Sequence, residues 1–125
     1  MHIQESGEMY LETLFVLSRD SAYVRAIDVG EYMGYSKPSV SRAIGLLKKA
    51  GYVTSDKDGY LFLTEAGRTI AEKIFNRHNL LTKFLISMGV SEETASEDAC
   101  KIEHVISDES IDAIRKVMET KKASL

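Results

Sequence analysis

The tract from Arg25 to Leu63 constrains the fold more than any other part of this chain, because its apolar pattern changes from helical to strand-like within 39 positions. A short helical segment, Arg25 to Met33, turns Ile27 and Val29 inward. Gly34 suits the left-handed position that ends a helix, and Tyr35 and Ser36 make a tight turn. Ser36 is then placed to cap a second helix, and Pro38 falls in its first turn, where a missing N–H costs little. Val40, Ala43, Ile44 and Leu47 share one face of that helix, and Gly51 stops it near Ala50. From there the pattern is strand-like: Tyr52-Val53-Thr54 and Tyr60-Leu61-Phe62-Leu63 flank a turn, Ser55 to Gly59, with Asp-Gly chemistry. Helix, turn, helix and hairpin in that order predict a winged helix-turn-helix.

The flanking segments are helical. Glu5 to Ser18 carries Met9, Leu11, Leu14, Phe15 and Leu17 on a broad apolar face, with Ser6 and Gly7 offering cap chemistry, and Arg19-Asp20-Ser21 breaks the pattern. Thr64 can cap a long helix with Ile70, Ile74 and Phe75 in period; it continues to about Met88, with room for a bend, and Gly89 closes it. Ser91-Glu92-Glu93 opens a further helix that carries the run Glu97 to His104. Ser107 is the expected cap of a last helix, about Asp108 to Met118, with Ile111, Ile114 and Val117 inward and a frayed tail from Lys121. The expectation is a mostly α chain: a winged helix-turn-helix domain over residues 1–72, then an all-helical domain over residues 73–125.

Bulk properties narrow the function classes. At 44% apolar residues the 125-residue chain can bury a core, and no apolar run approaches the roughly 20 residues needed to cross a bilayer. The first residues lack the basic-then-apolar order of a secretion signal, and a single cysteine allows no intrachain disulfide. These features point to a cytoplasmic protein with a reduced thiol and no membrane partner. The net charge of −3 argues weakly against nucleic acid, so the placement of the basic residues decides. In the helix-turn-helix the second helix enters the major groove of double-stranded DNA, and its early residues Ser36, Lys37, Ser39, Ser41 and Arg42 can reach phosphates or base edges. Arg42 has the fork geometry for a guanine, and Lys57 at the hairpin tip suits a phosphate. Asp56 and Asp58 oppose a phosphate clamp there and fit a sharp turn. The plainer alternative is a solvated helix on a generic helical domain.

A second constellation lies outside the winged tract. Cys100, Glu103 and His104 fall on one face if their segment is helical, and together offer a thiol, a carboxylate and an imidazole, donors that suit a divalent transition metal. Three ligands from one helix rarely complete a site. Met9 and Glu12 are three apart on the first helix, and His78 lies on the long one, so the donors would come from three helices and a metal would pin the first helix to the C-terminal half. Each donor has a plainer reading: Met9 as core filler, Glu12 as a surface carboxylate, His78 as an exposed polar residue, Cys100 as a buried small hydrophobe. Cys100 and His104 also have the types of a nucleophile and its base, but no oxyanion-hole loop or third orienting group accompanies them, so an enzyme is not expected. His2 reads as a terminal residue rather than a ligand.

The stretches Glu8-Met9-Tyr10-Leu11-Glu12-Thr13-Leu14, Ser39-Val40-Ser41, Leu63-Thr64-Glu65-Ala66-Gly67, Arg77-His78 and Asp98 to Asp108 occur in the order found in a known family. Over roughly residues 5–118 the chain resembles the metal-dependent repressors that include the diphtheria toxin repressor and the manganese transport regulator. The resemblance implies a homodimer, with an N-terminal winged helix domain followed by a helical metal-binding and dimerisation domain. It also implies Fe(II)- or Mn(II)-activated repression of metal-uptake genes at palindromic operators, the metal fixing the first helix and setting the spacing of the two DNA-reading heads. The larger iron-responsive members add an SH3-like domain; this chain resembles the shorter, manganese-regulator layout.

The implied ligand set mixes the two branches. Met9 and Cys100 match the iron-responsive pattern, where the manganese branch has Asp and Glu. Glu12 matches the manganese branch, and His78, Glu103 and His104 fit both. Thr82 and Ser96 stand where the iron branch places an acidic residue and a histidine of an ancillary site, so the resemblance implies that this second site is lost or altered. His78 then joins a single main site or a closely spaced pair bridged by Glu103 or Glu12. Thiolate and thioether donors move preference from Mn(II) toward Fe(II), Co(II) or Zn(II), so Fe(II) is expected first and Mn(II) next. The alternative function is a winged helix regulator that needs no metal.

Overall fold

The structure is a computed structural model that describes residues 5–123. The described elements run α1 (Glu5–Asp20), α2 (Ala26–Met33), α3 (Lys37–Lys49), β1 (Val53–Ser55), β2 (Leu61–Leu63), α4 (Glu65–Ser87), α5 (Glu92–Ile102) and α6 (Asp108–Ala123). They fall into two compact units, one ending at Lys73 and one beginning at Ile74.

In the first unit the turn between α2 and α3 is built as the sequence implies. Gly34 sits at φ 73°, and its N–H closes α2 on the Gly30 carbonyl at 2.8 Å. Ser36 caps α3, its Oγ accepting from the Ser39 N–H at 3.4 Å. Val40, Ile44 and Leu47 are the face α3 buries. They meet Leu11 and Leu14 from α1, Val29 from α2, and Val53 and Leu61 from the hairpin in one apolar core. Burying a side chain of that size contributes roughly 1.5–3 kcal/mol, so this unit is held mainly by apolar burial.

The hairpin pairs antiparallel with Val53 opposite Leu63, Thr54 opposite Phe62 and Ser55 opposite Leu61. The first strand keeps the expected length but starts one residue later, and the second loses Tyr60, for local reasons. The Tyr52 N–H closes the end of α3 on the Leu47 carbonyl, while Tyr60 gives its N–H to the Asp56 carboxylate. Asp56 also accepts from the Asp58 N–H, so it organises the turn. Thr64 joins wing to helix: its hydroxyl donates to the Gly51 carbonyl at 2.7 Å and accepts from the Gly67 N–H at 3.1 Å. Gly67 has to be glycine, because a Cβ there would stand 2.1 Å from the Tyr52 carbonyl oxygen.

The second unit gathers Leu81, Ala99 and Ile111, with Leu80, Ile102, Ile106 and Ile114 packed against them. Ser91 and Ser107 cap α5 and α6, accepting from the N–H groups of Thr94 and Ser110.

Several local expectations need correction. Ile27 and Val117, expected inward, are exposed at 64% and 45%. Ser6 and Gly7 lie inside α1 and do not cap it, since the helix is already formed at Glu5. α1 also continues to Asp20. α5 stops at Ile102, because the Ile102 carbonyl accepts from both the Val105 and Ile106 N–H groups and tightens into a turn. Glu103 and His104 therefore stand on that turn. α6 runs on through Lys121 and Lys122 to Ala123, consistent with the good helix propensity of lysine. His2, Ser124 and Leu125 lie outside the described residues.

Candidate metal centre and DNA-reading face

The turn between α5 and α6 carries the polar centre of the second unit. Glu103 keeps helical backbone angles, φ −57° and ψ −25°, and its N–H still donates to the Ala99 carbonyl. Its side chain therefore points inward and is fully buried. One carboxylate oxygen, Oε2, accepts from His78 Nδ1 of α4 at 2.8 Å. The other, Oε1, lies 3.4 Å from His104 Nε2, whose side chain is also fully buried. Oε1 has no hydrogen-bond donor among the described residues. Leaving such an atom buried costs about 1–3 kcal/mol, more when it is charged.

That chemistry fits a divalent cation. A carboxylate oxygen and imidazole nitrogens are the donor types that Mn(II), Fe(II) and Zn(II) accept. The His78 tautomer that donates from Nδ1 carries its lone pair on Nε2, and a ring oriented by a carboxylate in this way is the usual state of a metal-binding histidine. The centre is nonetheless a set of pairs: among the described residues no group of three or more His, Cys, Asp or Glu side chains is gathered around one point.

Arg77, next to His78 on α4, is buried at 8% exposure. Its guanidinium donates to the Glu103 carbonyl at 3.3 Å and the Ile106 carbonyl at 2.8 Å, and it pairs with the Asp108 carboxylate. The turn bearing Glu103 and His104 is thereby tied to α4 at three points.

The residues expected to read DNA lie in the first unit. Ser36, Lys37, Ser39, Ser41 and Arg42 are all exposed along the start of α3, and Lys57 is exposed at the hairpin tip. Lys37, Ser41, Arg42 and Lys57 make no side-chain hydrogen bond or ion pair with another described residue. Ser36 and Ser39 are engaged in the cap, their hydroxyls 2.9 Å apart. Basic groups on the opening turns of a second helix, with a wing beside it, are the parts of a groove reader.

Two family models match successive parts of the chain. Residues 2–61 match the family model described as the iron dependent repressor, N-terminal DNA binding domain. Residues 64–123 match that of the iron dependent repressor, metal binding and dimerisation domain. The HTH-type transcriptional regulator MntR of Geobacillus kaustophilus is 35% identical over 114 residues, which cover 91% of this chain and 81% of that protein. The chain belongs to the diphtheria toxin repressor and manganese regulator family. MntR of Bacillus subtilis is 34% identical over 91% of the chain and 80% of its own length. The structure of the manganese regulator SloR superposes with a TM-score of 0.81 at 26% identity over 95% of the chain. Against that solved structure the chain spans about half the length, 55%.

Within this family the remaining sequence-derived donors are placed as follows. Cys100 is exposed near the end of α5, so it is not the buried small hydrophobe of the plainer reading. Met9 and Glu12, three apart on α1 of the first unit, are each half-buried. Thr82 turns its hydroxyl to the His78 carbonyl at 2.7 Å.

Two interactions had no signal in local sequence. Arg77 reaches a residue 31 positions away, and nothing in its neighbourhood marks a buried clamp. In the first unit Arg25 stacks its guanidinium 4.5 Å over the Tyr60 ring, which also meets Tyr23 edge-on. That contact joins the start of α2 to the wing and helps hold the reading face in shape.

Proposed function

We propose that this chain is a metal-activated repressor of genes that manage a transition metal, acting as a cytoplasmic homodimer on a palindromic operator in double-stranded DNA. The observation that carries it is the buried Glu103 carboxylate set between His78 and His104, in a chain whose other unit presents exposed basic groups at the start of α3. A bound divalent cation supplies positive charge that this carboxylate and the imidazole lone pairs can share. Glu103, His78 and His104 hold it in this proposal. Cys100, Met9 and Glu12 are the further ligands that the family resemblance assigns. Fe(II) is the first metal and Mn(II) the second, because thiolate and thioether donors soften the set; Co(II) or Zn(II) can substitute. Ser36, Lys37, Ser39, Ser41 and Arg42 meet the major groove, with the Ser36 hydroxyl spending one acceptor site on the cap, and Lys57 meets a phosphate. Residues 1–72 read DNA and residues 73–125 bind metal and dimerise.

The test is DNA binding by the purified chain to duplexes selected from a random pool with Mn(II) or, anaerobically, Fe(II). The expected result is at least about tenfold tighter binding with metal than with a chelator, the scale of ordinary allosteric coupling. One observation favours a second reading, a winged helix regulator that needs no metal: no three donors are gathered in advance among the described residues. Equal affinity with metal and with chelator selects that reading.

A further inference from the structure

We propose that Arg77 is a positioning residue for the metal centre: its guanidinium fixes the turn between α5 and α6 against α4, and so sets where the Glu103 carboxylate and the His104 imidazole stand. The inference rests on the metal reading above and adds to it a group that touches no metal.

A guanidinium at 8% exposure is expensive to bury and persists only where its donors are matched. Arg77 meets two main-chain carbonyls, those of Glu103 and Ile106, and one carboxylate, that of Asp108. Those carbonyls belong to the stretch where α5 has ended and α6 has not begun, so they lie among the acceptors a helix end leaves without intrahelical partners. A planar fork with five donors can serve backbone and carboxylate acceptors together, which a lysine ammonium does with less directional control.

Consecutive residues on a helix point about 100° apart. Arg77 and His78 therefore grip Glu103 from two directions. Arg77 takes its main-chain carbonyl at 3.3 Å, and His78 takes its carboxylate at 2.8 Å. With both ends of Glu103 held to one helix, this carboxylate is placed before any ion arrives, and ordering the turn is not charged against binding. Without Arg77 the donors are chemically unchanged but the turn is free to relax. Asp108 anchors the far end of the clamp with a side chain that is 72% exposed, so it can be neutralised without opening the core.

The experiment uses the full chain with Arg77→Lys and Asp108→Asn. Mn(II) affinity is measured by calorimetry, donor geometry by the Co(II) absorption spectrum, and stability by urea unfolding without metal. Arg77→Lys is expected to weaken Mn(II) binding about 10- to 100-fold, the range for a group that orients a ligand, with stoichiometry unchanged and the Co(II) bands shifted. Asp108→Asn is expected to move both readouts the same way by a smaller amount. Should Arg77→Lys fail to fold, Asp108→Asn decides. Variants whose Mn(II) affinity and Co(II) spectra match wild type, whatever their unfolding midpoints, overturn the inference and leave the metal reading standing. A wild-type chain that takes up neither Mn(II) nor Co(II) overturns the metal reading, and this inference with it.

Discussion

The two units are held together by different means. The first buries Leu11, Leu14, Val29, Val40, Ile44, Leu47, Val53 and Leu61 in one apolar core and keeps its basic reading groups outside. The second buries fewer apolar residues, Ile74, Leu81, Ala95, Ala99 and Ile111 among those described, and encloses Arg77 and Glu103 as well. An apolar core is stable by itself, whereas enclosed charges are stable only when matched. Arg77 is matched by the chain, but Glu103 Oε1 has no hydrogen-bond donor among the described residues. The difference is between a unit held by apolar burial and a unit whose interior leaves a carboxylate oxygen that a cation would match.

That contrast breaks most readily at Glu103. Glu103→Gln keeps the shape and removes the charge. It should reduce Mn(II) affinity by more than the roughly 100-fold upper range for outer partners of a ligand, while calorimetry of the metal-free chain shows an unfolding midpoint unchanged or raised. A midpoint that falls as metal affinity holds would mean the carboxylate is structural. The opposite unit should break without touching metal. Gly67→Ala drives a Cβ against the Tyr52 carbonyl, and urea unfolding should show a loss at or above the roughly 1–3 kcal/mol usual for overpacking. Mn(II) stoichiometry at low denaturant should not change.

Smaller substitutions sharpen the same line. Arg42→Ala should cost about 1–3 kcal/mol of specific DNA binding and relax preference at one base pair, with Mn(II) affinity intact. A metal affinity that falls with it would deny the separation. The least effect is expected at Tyr10, whose hydroxyl is held above the usual tyrosine value of 10.0 by burial and then by neighbouring Tyr35. The folded chain keeps this proton at a pH where the unfolded chain releases it. The contribution to stability is therefore complete below about pH 10 and is lost as pH rises through the raised value. Tyr10→Phe should flatten that alkaline decline in a thermal melt series.

The fold was largely legible because its signals are local. Gly34, Ser36, Pro38 and the 40-44-47 stripe specify α3 within a few residues of themselves, and Thr64 and Gly67 sit in a stretch whose family pattern turns out to serve a cap and a close approach. Element ends were less legible, since α5 stops at Ile102 through carbonyl sharing that spacing alone does not reveal. For the centre, the sequence marked the donor types, and the structure pairs Glu103 with His78 and with His104, gathers no three donors about one point among the described residues, and leaves Cys100 exposed. Arg77 escaped as a functional residue because its partners lie 26 to 31 positions away, and no periodicity encodes a contact of that span.

In the proposed function, metal orders the turn that bears Glu103 and leaves α3 as it is. Amide hydrogen exchange, followed with and without saturating Mn(II), tests it most directly. Slower exchange is expected with metal at Glu103 to Ser107 and around Arg77 and His78, with exchange along α3 unchanged. Exchange unaltered in the turn, or altered by metal only in α3, would contradict it.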